Sequence, residues 1–102
     1  MRDIIYLPPA RVDVARIFEH YAYDRGVADV AERIVSDIER TTERLLSGFP
    51  NTGKNLDDYK MGLRALLVMD SHWVFYTFDE QTISVHRIMA AKEIKSWDAL
   101  DI

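Results

Sequence analysis

Residues 62–89 read GLRALLVMD-SH-WVFYTFDE-QT-ISVHRIM, and this stretch most narrowly limits the folds open to the chain. Three runs rich in Val, Ile, Phe, Tyr, Trp and Thr stand close together. Each has the length of a strand, and no helical period runs through them. Breaks this short can join only antiparallel neighbours, so the stretch predicts a three-stranded meander. Residues 73–78 are apolar on both parities, which places that run centrally in the sheet. In residues 62–69, Leu63, Ala65, Leu67 and Met69 share one face, with Leu66 and Val68 on the other. In the last run Ile83 and Val85 share a face opposite Ser84 and His86. Arg87 has the parity of Ile83 and Val85 and should start from the apolar face.

The preceding residues supply the cover for such a sheet. Residues 3–7 (DIIYL) form a short β-branched run, an edge or first strand, stopped by Pro8-Pro9. The period then changes. Ala10, Val14, Ile17 and Tyr21, with Phe18 beside them, mark an amphipathic helix, and Arg11, Asp13, Arg16 and Glu19 fall on its solvated side. Gly26 suits a left-handed cap. A second helix is expected over residues 27–47, with Ala31, Ile34, Val35, Ile38, Thr42 and Leu45 as its stripe. Glu39 with Glu43, and Arg40 with Arg44, form alternating charged rows outside. The short connection makes the two helices an antiparallel hairpin. Residues 49–60 (FPNTGKNLDDYK) read as a loop. Gly53-Lys54 lacks the glycine spacing and following Ser or Thr of a phosphate loop, and Asp57-Asp58 lacks partner ligands for a cation. Residues 92–102 are a tail with Trp97 packing back on the body.

The fold class that results is α+β: an N-terminal strand and an antiparallel helical hairpin packed on a mainly antiparallel sheet. One hundred and two residues form one domain, 1–102. Thirteen Lys and Arg against seventeen Asp and Glu give a net charge of -4, which argues against broad phosphate binding. No run reaches the ~18–20 apolar residues of a membrane span. The absence of cysteine excludes thiolate chemistry and disulfides. Together with the lack of a signal-like segment, this leads us to expect a cytoplasmic protein. No cofactor is implied. His20, His72 and His86 lack metal-ligand spacing.

The order of features resembles the ParE branch of the RelE/ParE toxin superfamily. The residues concerned are Gly62-Leu63-Arg64, Ser71-His72 with Phe75-Tyr76, and Ile83, Val85 and Arg87-Ile88. Leu7-Pro8, Ala10, Asp13, Ile17, Tyr21 and the Pro50 to Gly53 loop fit the same pattern. The resemblance implies a toxin of a type II toxin–antitoxin module, neutralised by a ParD-like or related cognate antitoxin. Members of the ParE branch inhibit DNA gyrase by binding it, whereas RelE-type members cut mRNA on the ribosome. RNA cleavage needs a group to activate the ribose hydroxyl and cations for the phosphorane charge. Aligned on Phe75-Tyr76, the ribonuclease branch has an arginine where this chain has Trp73. Met89-Ala90-Ala91 stands where its second basic residue would be, and its C-terminal tyrosine is missing.

The resemblance therefore favours a binding protein over an enzyme, with no catalytic residues. A RelE-like ribonuclease and a non-toxic binding partner are the alternatives. Candidate target- or antitoxin-binding residues are Arg64, His72, Tyr76, Arg87, Lys92, Lys95 and Trp97. Each has a structural rival reading. Arg64 could be held in a salt bridge, Arg87 could pair with a helix carboxylate, His72 could belong to a turn at Asp70-Ser71, and Trp97 could be a packing residue. An antitoxin should cover apolar surface left open by the sheet and hairpin, by adding a strand or laying a helix in a groove.

Overall fold

The computed structural model describes residues 2–26, 28–94, 96–97, 100 and 102. The first strand, β1 (Asp3–Tyr6), leads into helix α1 (Pro8–Glu19), which continues as a π-helical turn (His20–Asp24). The prolines start α1 instead of preceding it, because the first turn has no use for their missing N–H groups. Gly26, at φ 68, ends this helix in the left-handed region that glycine enters freely. Helix α2 (Ala28–Gly48) follows. Its buried side is Ala31, Ile38, Thr42 and Leu46, so Leu46 and not Leu45 completes the stripe. Thr42 is fully buried because its hydroxyl donates to the Ile38 carbonyl at 2.7 Å, leaving only its methyl for the core.

The meander forms as expected from β3 (Arg64–Val68), β4 (His72–Phe78) and β5 (Thr82–Ala90). Two further strands flank it. The expected loop contains a two-residue strand, β2 (Lys54–Asn55), paired antiparallel with β3. At the other edge β1 runs parallel to β5, Asp3 opposite Thr82 and Tyr6 opposite Val85. The sheet order is β1-β5-β4-β3-β2, with β4 central. A two-residue strand carries no readable alternation, which is why β2 looked like loop.

Two corrections concern strand ends. Met69 is not on a sheet face. Met69 and Asp70 have φ 55 and 54, as the central pair of a type I′ turn does, and Ser71 N–H donates to the Val68 carbonyl at 3.1 Å. The turn therefore centres one residue earlier than Asp70-Ser71, and Met69 is half exposed. Leu67 is also exposed by more than a third. In β5 the register slips: Phe75 stands opposite Arg87 but Tyr76 opposite Val85, so His86 is an extra, bulged residue. The bulge breaks the parity that linked Arg87 to Ile83 and Val85. Ile88 takes the buried place instead, 2% exposed.

The sheet is covered on both faces. The helices close one, where Ala10 and Ile38 meet Val68, Val74, Val85 and Ile88. On the other, Leu56, Leu63, Ala65 and Phe75 form a second core against Trp73, Met89, Ile94, Trp97, Leu100 and Ile102. The tail is thus a structural layer. No helix among the described residues is long and apolar enough to cross a membrane.

A buried clamp ties the loop before β2 to the sheet. The Tyr76 hydroxyl donates to the Pro50 carbonyl at 2.7 Å and accepts from Gly53 N–H at 3.0 Å. Arg64 donates to the Asn51 and Gly53 carbonyls at 3.1 and 2.9 Å. A Cβ on Gly53 would lie 2.5 Å from the Tyr76 hydroxyl and 2.9 Å from the Ala65 carbonyl. Gly53→Ala is expected to destabilise the protein by about 1–3 kcal/mol, measured by urea unfolding, because backbone on one side cannot yield.

Candidate functional site

The candidate site begins where β1 ends. Leu7 N–H donates to the Val85 carbonyl at 2.9 Å and closes the parallel pairing. Pro8 follows with no N–H to offer, and the chain turns into α1. Strand β5 continues to Ala90, so its outer edge beyond Val85 lies open to α1 instead of to a strand.

Asp13 fills the first position along that edge. Its Oδ2 accepts Ile88 N–H at 2.9 Å and Arg87 Nε at 2.7 Å, and its Oδ1 accepts Arg87 Nη2 at 3.0 Å. One helix carboxylate thus replaces a strand carbonyl and forms a two-point pair with a guanidinium. The Asp13 side chain is 6% exposed and that of Arg87 25%. Asp13 was expected on the solvated side, and the structure overturns that. The signal was present, since Asp13 is three residues after Ala10 and four before Ile17, on the apolar stripe. A carboxylate is buried there because its charge is paired and its oxygens are occupied.

Beyond Asp13 the gap between α1 and β5 opens into a groove of about 580 Å³. Arg16, Ile17, His20 and Tyr21 come from the helix side, residues 87–93 from β5 and the 3-10 turn (Ala91–Glu93), and residues 70–72 from the start of β4. His20 and Tyr21 belong to the π-helical turn, a distortion of α geometry often found beside functional sites. His72 is 5% exposed, with Ser71 Oγ 2.8 Å from its Nδ1. Burial lowers its pKa, Glu93 opposes that, and Lys92 reinforces it. His72 is accordingly a neutral imidazole near pH 7, held at one nitrogen by a hydroxyl.

The sequence candidates separate into three groups. His72, Arg87 and Lys92 come together in the groove. Arg64 and Tyr76 lie in the loop clamp, where burial raises the Tyr76 pKa against the lowering effects of Gly53 N–H and Arg64. Trp97 is half-buried in the second core, edge-on to Trp73 at 4.8 Å with Lys54 Nζ 4.4 Å from its ring centroid. It packs as expected of a structural tryptophan. Lys95 lies outside the described residues. Arg16 and His20 line the groove without having been singled out. Four residues apart on a helix face, they looked like ordinary surface.

A second polar cluster lies on the hairpin. The Tyr6 hydroxyl is buried and has no hydrogen-bond partner among the described residues. Burial raises its pKa strongly, and Glu43 and Glu39 add to the shift. Burial also raises the pKa of Glu39, with a further contribution from Glu43. The exposed apolar side chains include Met61, Tyr23 and Phe49, at 84%, 76% and 68%.

A sequence model of the ParE toxin of type II toxin–antitoxin systems, parDE, matches residues 4–95. No curated protein matches the chain. Among solved structures, the chromosomal ParDE toxin–antitoxin system of P. aeruginosa is similar with a TM-score of 0.72 and 22% identity, covering 88% of this chain and 96% of that one. YafQ from E. coli strain BL21(DE3) is similar with a TM-score of 0.52 and 18% identity, covering 94% and 100%. At these identities the structural likeness establishes the shared fold.

Two outcomes follow from the site's electrostatics. Asp13→Ala should cost about 2–3 kcal/mol in urea unfolding, since it removes the paired hydrogen bonds to Arg87 and leaves the buried Ile88 N–H without its acceptor. His72 titrates lower when folded than when unfolded, so the unfolded chain binds its proton first as pH falls. Its contribution to stability is complete above the ordinary histidine value of 6.5 and declines as pH drops from there towards the folded value. Thermal melts of wild type and His72→Gln across pH 7.5 to 5 should show a steeper decline in the wild type.

Proposed function

Because the chain belongs to the ParE toxin family of type II toxin–antitoxin systems, we propose that it acts by binding a protein, DNA gyrase, and is silenced by a cognate antitoxin. The observation that carries this reading is Trp73. At that position the ribonuclease branch of the superfamily would require an arginine. Here an indole is packed edge-on against Trp97 and belongs to the second core. The position offers no cation to a phosphorane. Arg87, another cation of the meander, already pairs with Asp13 through two hydrogen bonds.

One observation favours the ribonuclease reading. His72 is neutral near pH 7 and lines a groove that also holds Arg16, Arg87 and Lys92. A neutral imidazole can accept a proton from a hydroxyl. Against this, its Nδ1 partner is a serine hydroxyl instead of an orienting carboxylate. Arg87 is also already paired.

Purified antitoxin-free protein distinguishes these readings. It should inhibit gyrase supercoiling and accumulate cleaved DNA, while ribosome-bound mRNA stays whole. Codon-dependent mRNA cleavage that disappears in His72→Gln would replace the gyrase reading with the ribonuclease one. Inactivity in both assays together with tight antitoxin binding would identify a non-toxic family member.

A further inference from the structure

We propose that Phe49 is the anchor by which this chain holds DNA gyrase, its ring entering an apolar pocket of the folded enzyme. This rests on the gyrase reading above and adds which side chain carries it. Phe49 is 68% exposed and joins none of the three apolar cores formed by the described residues. A single exposed apolar side chain is ordinary on a protein surface. The backbone of Phe49 is what sets it apart. Its N–H donates to the Leu45 carbonyl at 2.9 Å, which extends the ladder of α2 past Gly48, and its carbonyl accepts Thr52 N–H at 3.1 Å. Pro50 follows, buried and with φ fixed by its ring. Its carbonyl accepts the Tyr76 hydroxyl at 2.7 Å. The same hydroxyl accepts Gly53 N–H, and Arg64 holds the Asn51 and Gly53 carbonyls. Groups on α2, β3 and β4 thus aim the Cα–Cβ bond of Phe49, and only its two side-chain torsions remain to be fixed on binding. A ring presented this way combines a large contact area with a low ordering cost, as interface hot spots do.

The place of Phe49 in the fold selects the partner. Tyr76 lies four residues along β4 from His72, roughly 13 Å at the rise of a strand. Phe49 therefore stands toward the opposite end of the sheet from the groove. Met61, 84% exposed, lies at the same end, three residues before Arg64, which pairs with Tyr76. A projecting side chain needs a concave partner. An antitoxin segment that adds a strand or lies as a helix in a groove brings no pocket of its own. A second copy of this chain has the groove, whose walls carry Asp13, Arg16, Asp70, Arg87, Lys92 and Glu93. A phenyl ring seated there would take those charges out of water. It would also join copies head to tail, a contact that runs on into rings or fibres. A large folded enzyme supplies preformed pockets, and a ring enters one without any rearrangement of this chain.

Phe49→Ala should bind purified gyrase about tenfold more weakly than wild type, and inhibit supercoiling with the same loss of potency. Its urea midpoint should match wild type, because the ring belongs to no core. Its affinity for the product of the short reading frame adjacent to this chain's own should stay within about twofold of wild type. Tyr23→Ala removes an aromatic side chain of similar exposure, 76%, from the π-helical turn. It should bind gyrase within about twofold of wild type. In the wild-type chain the Phe49 ring should lose reactivity towards hydroxyl radicals when gyrase is added. Undiminished gyrase binding by Phe49→Ala, an equal loss in Tyr23→Ala, or a ring equally reactive with and without gyrase overturns the anchor and leaves the gyrase reading intact. Failure of the wild-type chain to bind gyrase overturns both. The labelling needs only wild-type protein, so it decides the matter even if the alanine variant does not fold.

Discussion

The Asp13 carboxylate holds the two halves of this molecule in register. It reaches from the first helix to the last strand, 74 and 75 residues away, and binds Arg87 and the Ile88 N–H together. Apolar contacts between α1 and β5 fix distance but not position along the strand. The three hydrogen bonds have direction and select one position. They also settle where Arg87 points, and that makes room for the groove. Burying two charges is costly even when they meet, so the pair's chief contribution is register and not net stability.

Much of the fold was legible in the sequence because the signals were local. The alternation of the meander, the helical spacing of Ala10, Val14 and Ile17, and the Gly26 cap each depend on a few neighbouring residues. What escaped depended on distant ones. The bulge at His86 has no marker in its own strand and exists because Phe75 and Tyr76 pair as they do. Strand β2 is a strand only because Arg64 and Ala65 face it. Asp13 looked solvated because a carboxylate on a helix usually is, and only its distant partners make burial tolerable.

The candidate site was legible in part for the same reason. Arg64 and Tyr76 stood out in the sequence through the Gly62-Leu63-Arg64 and Phe75-Tyr76 features of the resemblance, which do not separate a binding surface from an internal clamp. Their partners are backbone carbonyls of residues 50–53, and no sequence pattern names an acceptor of that kind. His72, Arg87 and Lys92 are brought together by the end of the β4–β5 hairpin, which the meander did foreshadow. The helix side of the groove was missed because Arg16 and His20 resemble any exposed pair.

The parallel pairing of β1 with β5 has a consequence in time. The first strand of the chain can be seated only against residues 82–85, and the second core also draws on Ile94, Trp97, Leu100 and Ile102. Helices and hairpins can form early, since their contacts are local. The sheet's parallel edge and its second face cannot. During synthesis the N-terminal strand must wait, unpaired, until nearly the whole domain has been made. Any surface that requires both α1 and the end of β5 therefore appears last, and a nascent chain presents none of it.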